Sequence, residues 1–294
     1  LLIILGSRMN GTLIGGNPKL FSKNSVKVQV DIDKAELVGE NRLKVNYKFN
    51  NELSYFLKKL NSKIKKQKPR KDWLEQIKNW KSNNKVVTKK FSKQKNYVNP
   101  YVFFEKLSEV INTNDILIPD ASANLVWAYQ AFKFKKNQKV FTSLNHSPMG
   151  YSVAAAVGAS LANPRSKIIA TIGDGSMQMN IQEIQNIKHY NLPIKIFILN
   201  NKGYGMVKQT IDTWLGGRYV GCDLKSDLSL PDYLSVFKSY GIKSVRLKNQ
   251  NNLKKNIKKI LDFKGPIMCE VLVDPNQRIE PKVKFGSPLN DMLP

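Results

Sequence analysis

The segment GDGSMQMNIQEIQNIKHYNLPIKIFILNN, residues 173–201, sets an acid between two glycines at one end and a pair of asparagines at the other. Asp174 and Asn201 offer one carboxylate and one amide carbonyl, and a free backbone carbonyl in the following turn adds a third hard oxygen. Such donors suit Mg²⁺, which takes six oxygens at about 2.1 Å and draws some of them from phosphate and water. Gly173 and Gly175 let a phosphate approach the backbone closely, and a helix opening after Ser176 would offer exposed N–H groups to an anion. Taken singly, GDG is an ordinary strand-to-helix turn and NN a surface turn. Taken jointly, they predict a site for Mg²⁺ and a diphosphate.

The elements around them must bring the two ends together. SKIIATIGD reads as a strand ending at Asp174, PIKIFILNN as a strand ending at Asn201, and a helix lies between. A β-α-β crossover makes the strands parallel, so both carboxyl ends reach the edge of the sheet where open α/β folds bind ligands. From Asn99 onward, strands alternate with helices: PYVFFEKLSEVIN, DILIPD, LVWAYQAF, KVFTS, GYSVAAAVGASLA, and later PDYLSVFKSYG, KSVRL, NLKKNIKKILDF and PIMCEVLVD. The predicted fold class is therefore α/β, a doubly wound and mostly parallel sheet over residues 99–294. Residues 1–61 read as strand LLIIL, a glycine-rich turn, strand VKVQVDID and a helix near NNELSYFLKKL, which amounts to half of a second α/β domain. Residues 62–98 read as a lysine-dense linker, with Trp73, Ile77 and Trp80 at helical spacing pinning one short helix.

Bulk composition narrows the class. The 294 residues are 41% hydrophobic and 10% aromatic, as in a folded globular protein. Two cysteines, Cys222 and Cys269, give no disulfide framework, and with only His146 and His189 they argue against zinc and for a reducing, cytoplasmic setting. His189 is expected at a helix end as a partner of the helix dipole, and His146 near the site or in loop packing. The charge is +26, from 48 Lys+Arg against 22 Asp+Glu. It shows no arginine clustering and no nucleic-acid motif, so it reads as solvated lysine; a nucleic-acid-binding module built on the basic stretch is the reading of a different class. No apolar run reaches the roughly 20 residues of a membrane span. LLIIL lacks a basic leader region and reads as a buried strand of a larger protein rather than a signal peptide.

Against these residues, the chain resembles the thiamine diphosphate-dependent enzymes of the acetohydroxyacid synthase and pyruvate decarboxylase superfamily, and most of all the acetohydroxyacid (acetolactate) synthase large subunit. GDGS followed by NN is similar to the family's cofactor motif, SPMGYSVAAAVGAS to its MGYGLPAAIGA segment, and ILNNKGYGMVKQ to its ILNNxxxGMVxQ. DASANLVWAYQ takes the place of a GVGQHQMWAAQ-type segment. LLIILGSRMNGTLIGGN and VQVDID resemble the second half of the family's central domain.

The resemblance implies that Asp174 and Asn201 bind Mg²⁺ through their side chains and Gly203 through its carbonyl. It implies cofactor contacts from Ala121, Ser122, Ala123 and Asn124, from Ser147 and Met149 (Met149 as the wedge that bends the cofactor), and from Gly173, Gly175 and Ser176. Tyr204, Gly205, Met206 and Val207 would line the cofactor and the substrate pocket. Ala123 and Asn124 replace a Gln-His pair, so backbone contacts to the diphosphate are expected there, and Thr210 replaces a large aromatic beside the acceptor. The resemblance further implies a 2-oxo acid such as pyruvate as substrate, a homodimer or higher assembly, and FAD on the segments GSRMNG and DID. The family's activating glutamate belongs to an N-terminal domain outside this chain, so no catalytic acid is nominated here and the fragment alone is expected to be inactive. Plain decarboxylation, or joining to an unusual acceptor, is the alternative on the same cofactor.

Overall fold

The computed structural model describes residues 1–38, 43–65, 68–144, 146–283 and 286–293. The chain forms two compact units, Leu1–Asn83 with Glu280–Pro294, and Asn84–Ile279. This division differs from the expected 1–61, 62–98 and 99–294. The basic stretch is shared: helices α1 (Leu53–Lys63) and α2 (Lys71–Asn83) lie in the first unit, and the residues from 84 onward lie in the second. Phe91 explains that second assignment, being buried and stacked on the Tyr101 ring at 5.1 Å. Lys66 and Gln67 of the expected linker lie outside the described residues.

The first unit has a parallel sheet of β1 (Leu2–Leu5), β2 (Lys27–Asp31) and β3 (Tyr47–Asn50), in that order. Its core is small, with Ile4, Ile14 and Leu43 buried. Helix α2 forms where the tryptophan spacing predicts it, but the tryptophans do not pin it into a core. Trp73 and Trp80 are 54% and 48% exposed and pack edge to face against each other, 5.4 Å between centroids.

The second unit carries six strands: β4 (Ile116–Pro119), β5 (Lys139–Val140), β6 (Ile168–Gly173), β7 (Lys195–Asn200), β8 (Lys243–Leu247) and β9 (Ile267–Leu272). They pair in parallel throughout, in the order β5-β4-β6-β7-β9-β8. Apolar residues cover both faces because helices cover both. On β6 and β7, Ile168, Ala170, Ile172, Ile196 and Ile198 point to one core. Ile169, Phe197 and Leu199 point to the other. That period of two is what a strand requires.

The connecting helices are α3 (Pro100–Val110), α4 (Ser122–Ala131), α5 (Tyr151–Ala162), α6 (Asp174–Met177), α7 (Glu183–His189), α8 (Gly205–Trp214), α9 (Tyr233–Ser239) and α10 (Leu253–Leu261). The helix expected after Ser176 instead begins at Asp174 and is interrupted by a 3-10 turn, Gln178–Asn180, before α7. Chain direction across the sheet reverses between β4 and β6. The carboxyl ends of those two strands therefore flank a switch point, the crevice where doubly wound sheets take ligands.

Candidate functional site

The register of β6 on β7 pairs Gly173 with Leu199, which sets Asp174 beside the asparagine pair. Asp174 is 1% exposed. Its Oδ1 accepts the Gly175 N–H at 2.8 Å and its Oδ2 the Gly203 N–H at 3.1 Å. Burial pushes its pKa up to about 6, and those two N–H donors pull it partly back. The Asp174 carbonyl is held in turn by the buried Tyr233 hydroxyl at 2.5 Å.

Asn201 completes the cluster. Turned nitrogen-inward, its amide donates to Asp174 Oδ1 at 3.3 Å and to the Gly203 carbonyl at 2.7 Å. Turned oxygen-inward, it brings three oxygens to those same spacings, which only a cation can hold together. Oxygens adjacent on an octahedral cation at about 2.1 Å lie about 3 Å apart, so the three fit Mg²⁺. Among the described residues no group of three or more His, Cys, Asp or Glu side chains is placed to bind a metal. The candidate centre is therefore an oxygen site made of one carboxylate, one amide and one backbone carbonyl.

Two glycines are required by this geometry. A Cβ on Gly203 would come 2.4 Å from the Cys222 carbonyl, and one on Gly205 would come 2.5 Å from Asn201 Nδ2. Gly175 has a reason the sequence did not suggest: the Tyr204 ring lies on its face, 2.2 Å from where a Cβ would stand. Asn200 is not part of the oxygen cluster. Its Nδ2 donates to buried Glu270 at 2.5 Å and its Oδ1 accepts the Lys202 N–H at 3.0 Å, so it shapes the turn.

Around the cluster opens a cleft. Of the residues expected to touch a cofactor, Ala121, Ser122, Ala123, Asn124, Met149, Gly173, Gly175, Ser176, Tyr204, Gly205, Met206 and Val207 line it, together with Asp174, Asn201 and Gly203. Ser147 does not, and neither does exposed His146 or Thr210. Trp127 and Leu199 line it without having been expected. Neither α4 nor α8 has a side-chain cap at its start, and the residues opening each helix, 122–124 and 205–207, line the cleft. The Gly205 N–H is taken by the Gly203 carbonyl at 3.2 Å, and the other N–H groups opening the two helices, with the helix dipoles, favour an anion there.

Asn124 behaves differently from a backbone-only contact. Its Nδ2 donates to the Thr171 carbonyl at 2.8 Å, while its Oδ1, like Trp127 Nε1, is buried with no protein partner. Sequence reasoning also missed Asp120, which directly follows β4 and reaches across to the Met149 loop; only a contact between residues 30 apart in the chain reveals it. Behind α8, Lys208 pairs with Asp223 at 3.0 Å and holds that carboxyl below its ordinary value. His189 ends α7, as expected, with its ring edge-on to Tyr190 at 4.7 Å.

Residues 120–271, just over half of the chain, match the family model described as thiamine pyrophosphate enzyme, C-terminal TPP binding domain. Over its whole length the chain is 31% identical to the acetolactate synthase large subunit of Cyanidium caldarium, covering 49% of that protein. It is 28% identical to the chloroplastic acetolactate synthase 1 of Zea mays, covering 46% of it. Over 99% of its length it is 29% identical to the large subunit of Lactococcus lactis subsp. lactis (strain IL1403), covering 49% of it. The chain thus spans about half the length of the curated relatives it matches. Among the described residues no helix is long and apolar enough to cross a membrane.

Proposed function

We propose that this chain, which belongs to the thiamine pyrophosphate enzyme family, forms the Mg²⁺- and diphosphate-holding half of a site that decarboxylates a 2-oxo acid such as pyruvate and joins the remainder to a second 2-oxo acid. The observation that supports this most is the packing of the Asp174 carboxylate, the Asn201 amide and the Gly203 carbonyl against one another beside two uncapped helix starts. When bound, thiamine diphosphate supplies the carbon nucleophile and electron sink for such chemistry.

The chain's own residues have separable tasks in this reading. Asp174, Asn201 and the Gly203 carbonyl hold the cation. The N–H groups opening α4, with Gly175 and Ser176, take the diphosphate oxygens. Met149, Tyr204, Met206 and Val207 wall the cleft and keep water from the reacting region. Asp174 is the one acid lining the cleft among the described residues, and a cation ligand cannot also shuttle protons. The family resemblance assigns the activating glutamate to an N-terminal domain outside these residues, supplied in a homodimer or higher assembly, and in this reading the chain alone is inactive. In the first unit, GSRMNG and DID follow the carboxyl ends of β1 and β2, where FAD would lie. Both cysteines are free and buried, which suits a reducing setting such as the cytoplasm.

Product analysis tests the reaction. The full-length protein given pyruvate should yield acetolactate; acetaldehyde alone would leave a decarboxylase and overturn the joining step.

A further inference from the structure

We propose that Asp120 is a positioning residue whose carboxylate, opposed by Asn180, fixes the Met149–Gly150 elbow and so sets where Met149 meets the thiamine part of the cofactor. This rests on the cofactor reading above. Asp120 is 1% exposed, immediately after β4. Its Oδ2 accepts the Gly150 N–H at 3.1 Å and its Oδ1 the Ser152 N–H at 2.9 Å, at the start of α5. Asn180 holds the elbow from the other side, donating from Nδ2 to the Gly150 carbonyl at 3.1 Å.

The elbow has no slack. Gly150 stands at φ 88°, and a Cβ there would come 2.9 Å from Asn180 Nδ2. No ion pair to Asp120 occurs among the described residues, so its charge is spent on backbone N–H groups and the dipole of a twelve-residue helix. Its own backbone is fixed independently, with its N–H donating to Thr171 at 2.9 Å. Changing the side chain therefore releases the elbow while the end of β4 stays in the sheet. Among the described residues, no hydrogen bond of the Asp120 or Asn180 side chain goes to the residues assigned to the diphosphate, 121–124 and 174–176, so the two ends of the cofactor should respond separately.

The test uses the full-length protein with Mg²⁺ and two probes, inorganic diphosphate and thiamine diphosphate, followed by calorimetry. Asp120→Asn keeps the shape but turns an NH₂ group toward one of two N–H donors, so one clamp bond is lost. Affinity for thiamine diphosphate should fall about tenfold, while affinity for inorganic diphosphate stays unchanged. Asn180→Ala should give the same selective loss, smaller in size, and it serves alone if Asp120→Asn does not fold. Equal losses for both probes would mark Asp120 as scaffold only and overturn the proposal, as would no loss for either. A wild-type protein that binds neither probe with Mg²⁺ overturns the cofactor reading and the proposal with it.

Discussion

Two edges of the same parallel sheet each bury an ionisable side chain, and they treat it in opposite ways. At the amino edge, Lys195 opens β7 with 1% of its surface exposed. Its ammonium donates to the carbonyls of Phe263 at 2.6 Å and Gly265 at 2.8 Å. Burial, with the nearby charge of Lys167, pushes its pKa down to about 8. At the carboxyl edge, Asp174 is equally buried and is pushed up to about 6. The lysine is closed off by groups of complementary polarity, whereas the carboxylate clusters with the Asn201 amide and the Gly203 carbonyl beside an open cleft. Burial alone does not mark a site. What separates the two edges is whether the protein completes the partner set by itself.

Substitutions at the two edges should therefore differ in kind. Asp174→Ala should remove Mg²⁺-dependent binding of thiamine diphosphate, a loss larger than the roughly 10–100-fold that follows from removing a supporting partner of a metal site. Calorimetry with Mg²⁺ and with chelator measures it; retained Mg²⁺-dependent binding would refute the assignment. Gly203→Ala should come next, at about 10–100-fold in Mg²⁺ affinity, because its Cβ would meet the Cys222 carbonyl at 2.4 Å and displace the third oxygen. Lys195→Met should leave cofactor affinity untouched yet destabilise the chain by about 1–3 kcal/mol, since two carbonyls lose their donor. Urea denaturation gives the second number, and a change in cofactor affinity would collapse the distinction between the edges.

The smallest effect is on pH dependence, and its sign differs between the edges. Without a cation, Asp174 binds its proton more tightly folded than unfolded. Its contribution to stability is complete below about 3.8 and is lost as pH rises through about 6. Lys195 binds its proton less tightly when folded. Its contribution is complete above about 10.5 and is lost as pH falls through about 8. Stability curves of Asp174→Ala and Lys195→Met should each flatten in one window only. Mg²⁺ with thiamine diphosphate should flatten the acid window alone, because the bound cation keeps the carboxylate ionised.

How much of this was legible in the chain follows from the range of each interaction. The apolar runs of β6 and β7 and the helical stretch between them declare a crossover, and a crossover obliges Asp174 and Asn201 to meet. The alternation of strands and helices after Asn99 likewise declares the parallel sheet. Asp120 was illegible, because a carboxylate capping a helix thirty residues on leaves no local pattern. Tyr233 was illegible for the same reason, joining Asp174 from another helix. The Trp73 and Trp80 spacing declares a helix correctly, but periodicity cannot say whether an apolar stripe meets a core. Gly175 taught a third lesson: its missing side chain makes room for Tyr204 within the protein as well as for an approaching phosphate.

The most direct test of the oxygen centre is an anomalous difference map from crystals of the protein grown with thiamine diphosphate and Mn²⁺ in place of Mg²⁺. A single metal peak should stand about 2.1–2.2 Å from an Asp174 carboxylate oxygen, Asn201 Oδ1 and the Gly203 carbonyl, with diphosphate oxygens completing the set. A peak that lacks any of those three protein oxygens, or lies elsewhere in the cleft, would contradict the account.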